Sequence, residues 1–327
     1  MRTRLLQIAS ILRLTRISTV FAAVANVWFV VLWSRADQSG EKPSGVLSAE
    51  PLWVSLLGGA LVAGGLYAFG TCLNDIFDYH RDQQLKPSRP LVSGNISVDT
   101  AVISTAVTMI VAILGAAVFG TVGVMLTLGL LVAILAFNAT GKFIPGLGLF
   151  LLGLIYAGYM LVPNIDLRFV WPVWLAMTHG LMVAGLAHVL GRKTPAMTPR
   201  AVAFAGTGWV LWSVVLFALP TEGNGSRFST PLAHGVIGPL ACLLLAALFG
   251  VNVYRRLRAL GPGPRLAEKI HRHGTIWLAL YACAWLLGSG LYAEGAIMCG
   301  LTLAGILGMS AMRELYGLVE NPVGYRR

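Results

Sequence analysis

An all-α, polytopic membrane protein is the fold class that this sequence predicts, on three observations. Of 327 residues, 57% are hydrophobic and only 11% charged, against about 25% charged in a soluble domain. Mean hydropathy is +0.76. Apolar runs long enough to cross a bilayer recur along the whole chain, and they are continuous rather than alternating, which selects helices over a barrel. Ten spans follow: 17–34, 52–73, 99–119, 121–138, 146–163, 171–190, 201–219, 233–252, 274–292 and 294–312. The expectation is a bundle of nine to ten transmembrane helices forming a single domain over 1–327.

The net charge of +11 has a distribution that sets topology. With the N-terminus in the cytoplasm, all 24 lysines and arginines but Arg35, Lys42, Arg168 and Arg227 fall inside, as the positive-inside rule requires. The matching partners are anionic membrane lipid or an anionic substrate, and nucleic acid is not implied. The expected location is a bacterial inner (plasma) membrane with a cytoplasmic N-terminus. No cleavable signal peptide is evident, because the first apolar run is long and lacks a small-residue cleavage site. Cys72, Cys242, Cys283 and Cys299 fall in or beside spans without a CxxC pair, so they read as packing residues rather than zinc ligands or disulfides.

Residues 1–16, MRTRLLQIASILRLTR, form a basic amphipathic lead-in to the membrane surface. Asn26 in the first span is a polar residue suited to bonding a neighbouring helix. The second span is rich in glycine, which permits close helix packing, and it delivers the acidic stretch LNDIFDYHRDQQLKPSRPLVS at 73–93. There Asn74, Asp78 and Asp82 stand at i, i+4 and i+8. Each step advances a helix by 400°, so the three project from nearly one face. Magnesium is usually held by one or two carboxylates plus substrate phosphates, and Lys86 and Arg89 follow closely enough to hold those phosphates. The spacing alone leaves two readings open, a metal–diphosphate site or a solvated acidic loop. Asp75, off the shared face, reads as solvated.

Further along, the inside loop FNATGKFIPGLG carries Lys142 as its only charge, ordinarily a topology anchor. An external loop places Asp166 and Arg168 near an interfacial belt of Trp171 and Trp174. The next inside loop, AHVLGRKTPAMTPR, holds Arg192 and Lys193. His179 and His188 are half a turn out of phase on a helix and read as packed or interfacial residues. Residues 253–273 read as a basic loop broken by GPGP, and 313–327 as a polar cytoplasmic tail.

These residues resemble the UbiA superfamily of intramembrane prenyltransferases. Its first signature, Asn-x-x-x-Asp-x-x-x-Asp followed by a basic segment, Arg-Pro and a glycine, is matched in order by Asn74, Asp78, Asp82, Lys86, Arg89, Pro90 and Gly94, with Ala101 in the next helix. The lead-in LRLTRIST and Lys142 also fit, although Asn138 stands where a tyrosine is common. The resemblance implies about nine helices around a central cavity open to lipid. It implies a prenyl diphosphate bound through magnesium at Asp78 and Asp82, with Asn74 orienting a ligand. Lys86, Arg89, Lys142, Arg192 and Lys193 would hold the diphosphate. The family's second aspartate motif precedes a Gly-x-x-Thr that Gly191–Thr194 matches, but its acid positions are Val183 and Ala187 here. The expected function is prenyl transfer from a prenyl diphosphate to an unidentified acceptor, with Mg2+ as cofactor. The alternative is a carrier of prenyl lipid that kept the fold, and an unrelated transporter lacks the mid-span charges it would need.

Overall fold

The computed structural model describes residues 9–36, 46–87, 89–218 and 231–320, so the first half of the basic lead-in and residues 321–327 of the tail lie outside it. The described residues contain no strand. Ten helices of at least 16 residues follow one another: α1 Phe21–Ala36, α2 Leu52–Phe77, α3 Val98–Ala117, α4 Gly120–Ala139, α5 Pro145–Leu161, α6 Trp171–Leu190, α7 Pro199–Ala218, α8 Ile237–Leu260, α9 Pro264–Gly288 and α10 Tyr292–Glu320. Among them, seven are long and apolar enough to cross a bilayer: α2, α3, α4 with the turn after it, α6, α7, α8 and α10. Helices α1 and α5 are apolar but short, at 16 and 17 residues. The first third of α9 carries Arg265, Glu268, Lys269 and Arg272. The chain is an integral membrane protein.

Three boundaries differ from the sequence expectation. Helix α2 runs on to Phe77 and takes Asn74 and Asp75 with it. The basic loop expected at 253–273 is nearly all helix, because α8 continues to Leu260 and α9 begins at Pro264. Its Arg, Leu, Ala, Glu and Lys residues are good helix formers, and only the residues between break it. Gly261, at φ 66, terminates α8, and Pro264 opens α9 at a first-turn position. The tail expected from residue 313 begins as a continuation of α10.

Packing explains the glycines of α2. A Cβ added at Gly65 would lie 2.6 Å from the Ala112 nitrogen, and one at Gly115 would lie 2.7 Å from the Val62 nitrogen. Helices α2 and α3 therefore meet backbone to backbone, the small-residue mode of membrane packing. Helix α1 touches α2, α5, α9 and α10. Its buried Asn26 donates to the Tyr159 hydroxyl of α5, and the Thr19 and Tyr67 hydroxyls lie 2.7 Å apart at its start. On α6, His179 is buried, with Nε2 3.1 Å from the Gly274 oxygen and Nδ1 3.2 Å from the Tyr281 hydroxyl of α9. Three cysteines are buried as packing residues, and Cys299 is exposed on α10. This arrangement brings the approach to α1 and the ends of α2, α4 and α6 together at one end of the bundle.

Candidate functional site

At that end α2 gives way to the short helix Tyr79–Leu85 through Asp78, whose backbone sits at φ −88°, ψ 1°. The break hardly disturbs the register. Asp78 N still bonds Asn74 O at 3.0 Å, and Asp82 N bonds Asp78 O at 2.8 Å. The four-residue spacing therefore survives as geometry and keeps Asn74, Asp78 and Asp82 in one neighbourhood.

Cations from four parts of the chain close on them. Arg89 Nη1 donates to Asp75 Oδ1 at 2.9 Å and also to Asp82 Oδ2, bridging two carboxylates. Arg16 Nη2 lies 3.6 Å from Asp75 Oδ1. Lys142, from the 3-10 turn after α4, places Nζ 2.7 Å from Asp78 Oδ1 and 3.4 Å from Asn74 Oδ1. Asp75 is thus no solvated loop acid. It is 6% exposed and holds two arginines, because extending α2 by one turn drew it into the bundle.

The electrostatics identify the remaining members. Burial raises the Asp82 pKa, opposed by the attraction of Arg89 and then Lys86. The Lys86 pKa is lowered by burial and next by Arg89, while Asp82 opposes the shift. The Lys193 pKa is lowered by burial and then by repulsion from Lys86 and Arg81. That repulsion relates Lys193 to Lys86 and Arg81 of the acidic stretch. Both lysines are exposed to water. Arg192 is exposed as well, has φ 50, and makes no ion pair among the described residues. Three acids are paired with Arg16, Arg89 and Lys142, with Lys86 close by and Lys193 and Arg81 beyond it. The surplus is positive and suits an anion.

The donor set fits a hard divalent cation only in company. Asp78 Oδ1 is buried without an aligned hydrogen-bond donor, since the Lys142 ammonium stands off the bonding direction. All donors are oxygens, as magnesium prefers. Among the described residues no three of His, Cys, Asp or Glu stand ready to hold a metal ion, so phosphate oxygens would have to supply the remaining positions.

The positions of the absent second motif are closed. Val183 and Ala187 are 5% and 0% exposed and pack with Phe249, Leu266, Ala267 and Ile270. A Cβ at Gly274 of α9 would lie 2.5 Å from Val183 Cγ2. Asn138 is also turned inward and donates to Ile134 O of its own helix. Sequence reasoning missed Arg16, Asp75 and Arg81. Nothing near Arg16 signals its partner 59 residues away, and Asp75 lies off the shared face, where only the Arg89 bridge reveals it.

Residues 27–265, about three quarters of the chain, match the model of the UbiA prenyltransferase family. The chain belongs to the UbiA prenyltransferase family. Two solved structures resemble it. A digeranylgeranylglyceryl phosphate synthase is 20% identical, with TM-score 0.53 over 86% of this chain and 98% of that one. A UbiA homolog from Archaeoglobus fulgidus bound to Cd2+ is 15% identical, with TM-score 0.46 over 92% and 99%. The first shows a shared fold. No curated protein sequence matches the chain. The family match spans the acidic stretch with Asn74, Asp78 and Asp82. It does not account for the closed face of α6.

Proposed function

We propose that this UbiA-family protein transfers a prenyl group from a prenyl diphosphate to an acceptor at the cytoplasmic face of a bacterial inner membrane. The observation that carries the proposal is the convergence of three acids and a surplus of cations from four segments on one point. Asp78 and Asp82, with Asn74 beside them, would hold magnesium, which when bound with diphosphate offsets the charge of the leaving group. Lys86, Arg89, Lys142 and Lys193 would bind the phosphate oxygens, joined by Arg16. The allylic C–O bond breaks with its electron pair leaving on diphosphate. A pair from the acceptor forms the new bond, and the acceptor gives up a proton. Lys193 stands in for the second motif, with its positive charge fixed before the charge develops. Exclusion of water during turnover would protect the allylic cation.

The closed α6 face favours a second reading, a carrier that binds prenyl diphosphate without cleaving it. Purified protein given a prenyl diphosphate, magnesium and a panel of acceptors separates the two. Diphosphate release that falls about a hundred- to a thousand-fold in Lys193→Ala is expected for the enzyme. Tight binding with no release under any condition would establish the carrier.

A further inference from the structure

Between α5, α6 and α7 lies a cleft of about 360 Å3. Its walls include Met182, Gly185 and Val189 of α6 and Val202, Gly206 and Trp209 of α7. The α6 wall is not the face that carries Val183 and Ala187 against α9, and no residue of the acidic site lines the cleft. Its polar groups are satisfied internally: Trp209 Nε1 donates to Thr178 Oγ1 at 2.9 Å.

Two glycines make the space. A Cβ added at Gly185 or Gly206 meets nothing within 4 Å, and both sit inside helices with ordinary backbone. Neither a turn nor a close helix contact calls for glycine there, and each costs its helix about 1 kcal/mol relative to alanine. What they provide is volume, and in a bilayer an apolar volume takes a hydrocarbon chain.

The mouth decides which chain. The α6 positions 182, 185 and 189 line the cleft, and the turn that ends α6 follows Val189 directly, with Arg192 bonded to it through the backbone. The turn there is of the Schellman type, with Arg192 N bonding Val189 O and Lys193 N bonding His188 O, both at 3.1 Å. Glycine is the usual residue at the left-handed position of such a turn. Arginine holds it here at φ 50, a conformation costing about 1–2 kcal/mol for a residue with a Cβ. Its guanidinium is exposed, and the segment 191–200 contains no acid to pair with it.

We propose that the cleft binds one acyl chain of an anionic glycerophospholipid whose phosphate is held by Arg192. A guanidinium fork matches two phosphate oxygens at once. Lys193, the next residue of the turn, adds a second positive charge that disfavours a headgroup carrying its own ammonium.

The test is native mass spectrometry of the full chain after exchange into equal phosphatidylglycerol and phosphatidylcholine. Wild type is expected to retain one phosphatidylglycerol. Arg192→Gly, which relaxes the turn, should reduce that preference by about tenfold or more, equal to 1.4 kcal/mol. Gly185→Leu, which fills the cleft, should retain no lipid. Equal retention of both lipids by wild type, or unchanged retention in either variant, overturns the proposal. Diphosphate affinity of Arg192→Gly is the cross-check. A fall of about tenfold or more would assign Arg192 to the diphosphate site and overturn the lipid assignment.

Discussion

Arg89 joins Asp75 to Asp82 with one guanidinium, 17% exposed, so the acidic stretch carries its own counter-ion. Removing one partner of a buried ion pair costs about 3–5 kcal/mol, because the other charge stays behind. Arg89→Ala should therefore lower thermal stability. It should also make the protein respond to magnesium alone, since Asp82 is then free to bind it. Wild type should respond strongly only to magnesium and diphosphate together. Melting curves under the four conditions check this, and a wild type stabilised equally by magnesium alone would indicate a structural ion. The lysines make a second prediction. Lys86 and Lys193 have pKa values below the ordinary 10.5, and a bound polyanion raises them again. Between the lowered value and 10.5, binding takes up protons, so diphosphate affinity should fall as pH rises through that window. Calorimetry in two buffers of different ionisation enthalpy should show that uptake. Without ligand the sign reverses: the unfolded chain holds more protons there, and stability should rise with pH across the window.

At the scale of helices, the seam between α6 and α9 decides what the missing motif means. Val183→Asp with Ala187→Asp would write the family pattern back into the sequence. It would also bury two carboxylates among Phe249, Leu266 and Ile270 without partners, at a cost of several kcal/mol each. The expected result is a large loss of thermal stability with no gain in diphosphate release. A folded variant with faster release would mean that this face can open to a second metal. The seam was not legible in the sequence, because Val183 and Ala187 look the same whether they line a cavity or pack a helix. The ten helices were legible, since hydropathy is a local property, although only seven of them are long and apolar enough to cross a bilayer. The junction of α8 and α9 was not, because a run of arginines reads as loop by charge and as helix by propensity. In the acidic stretch, the spacing gave Asn74, Asp78 and Asp82. Arg16 depends on contacts between distant segments that no spacing encodes.

For the whole molecule, the charge split and the convergence at one end make a joint prediction about sidedness. With Cys299 replaced and single cysteines installed at exposed positions, Ala293→Cys at the turn into α10 should react with an impermeant maleimide in intact cells. Gln84→Cys in the short helix after α2 should react only after lysis. The opposite pattern would invert the protein and place the acidic site outside. Because Arg16, the acidic stretch, Lys142 and Lys193 share one end, a single sidedness measurement fixes them all.

The closed α6–α9 face also bears on the history that the chain can still have. An acid at position 183 alone, or at 187 alone, is a buried charge without a metal to share it. A lineage returning to two aspartate motifs would have to pass through one of those intermediates. Gly274 of the partner helix lies close against the methyls of Val183, so the seam has little room for a longer side chain there. The seam itself therefore disfavours an acid at either position, whichever cations serve the acidic site.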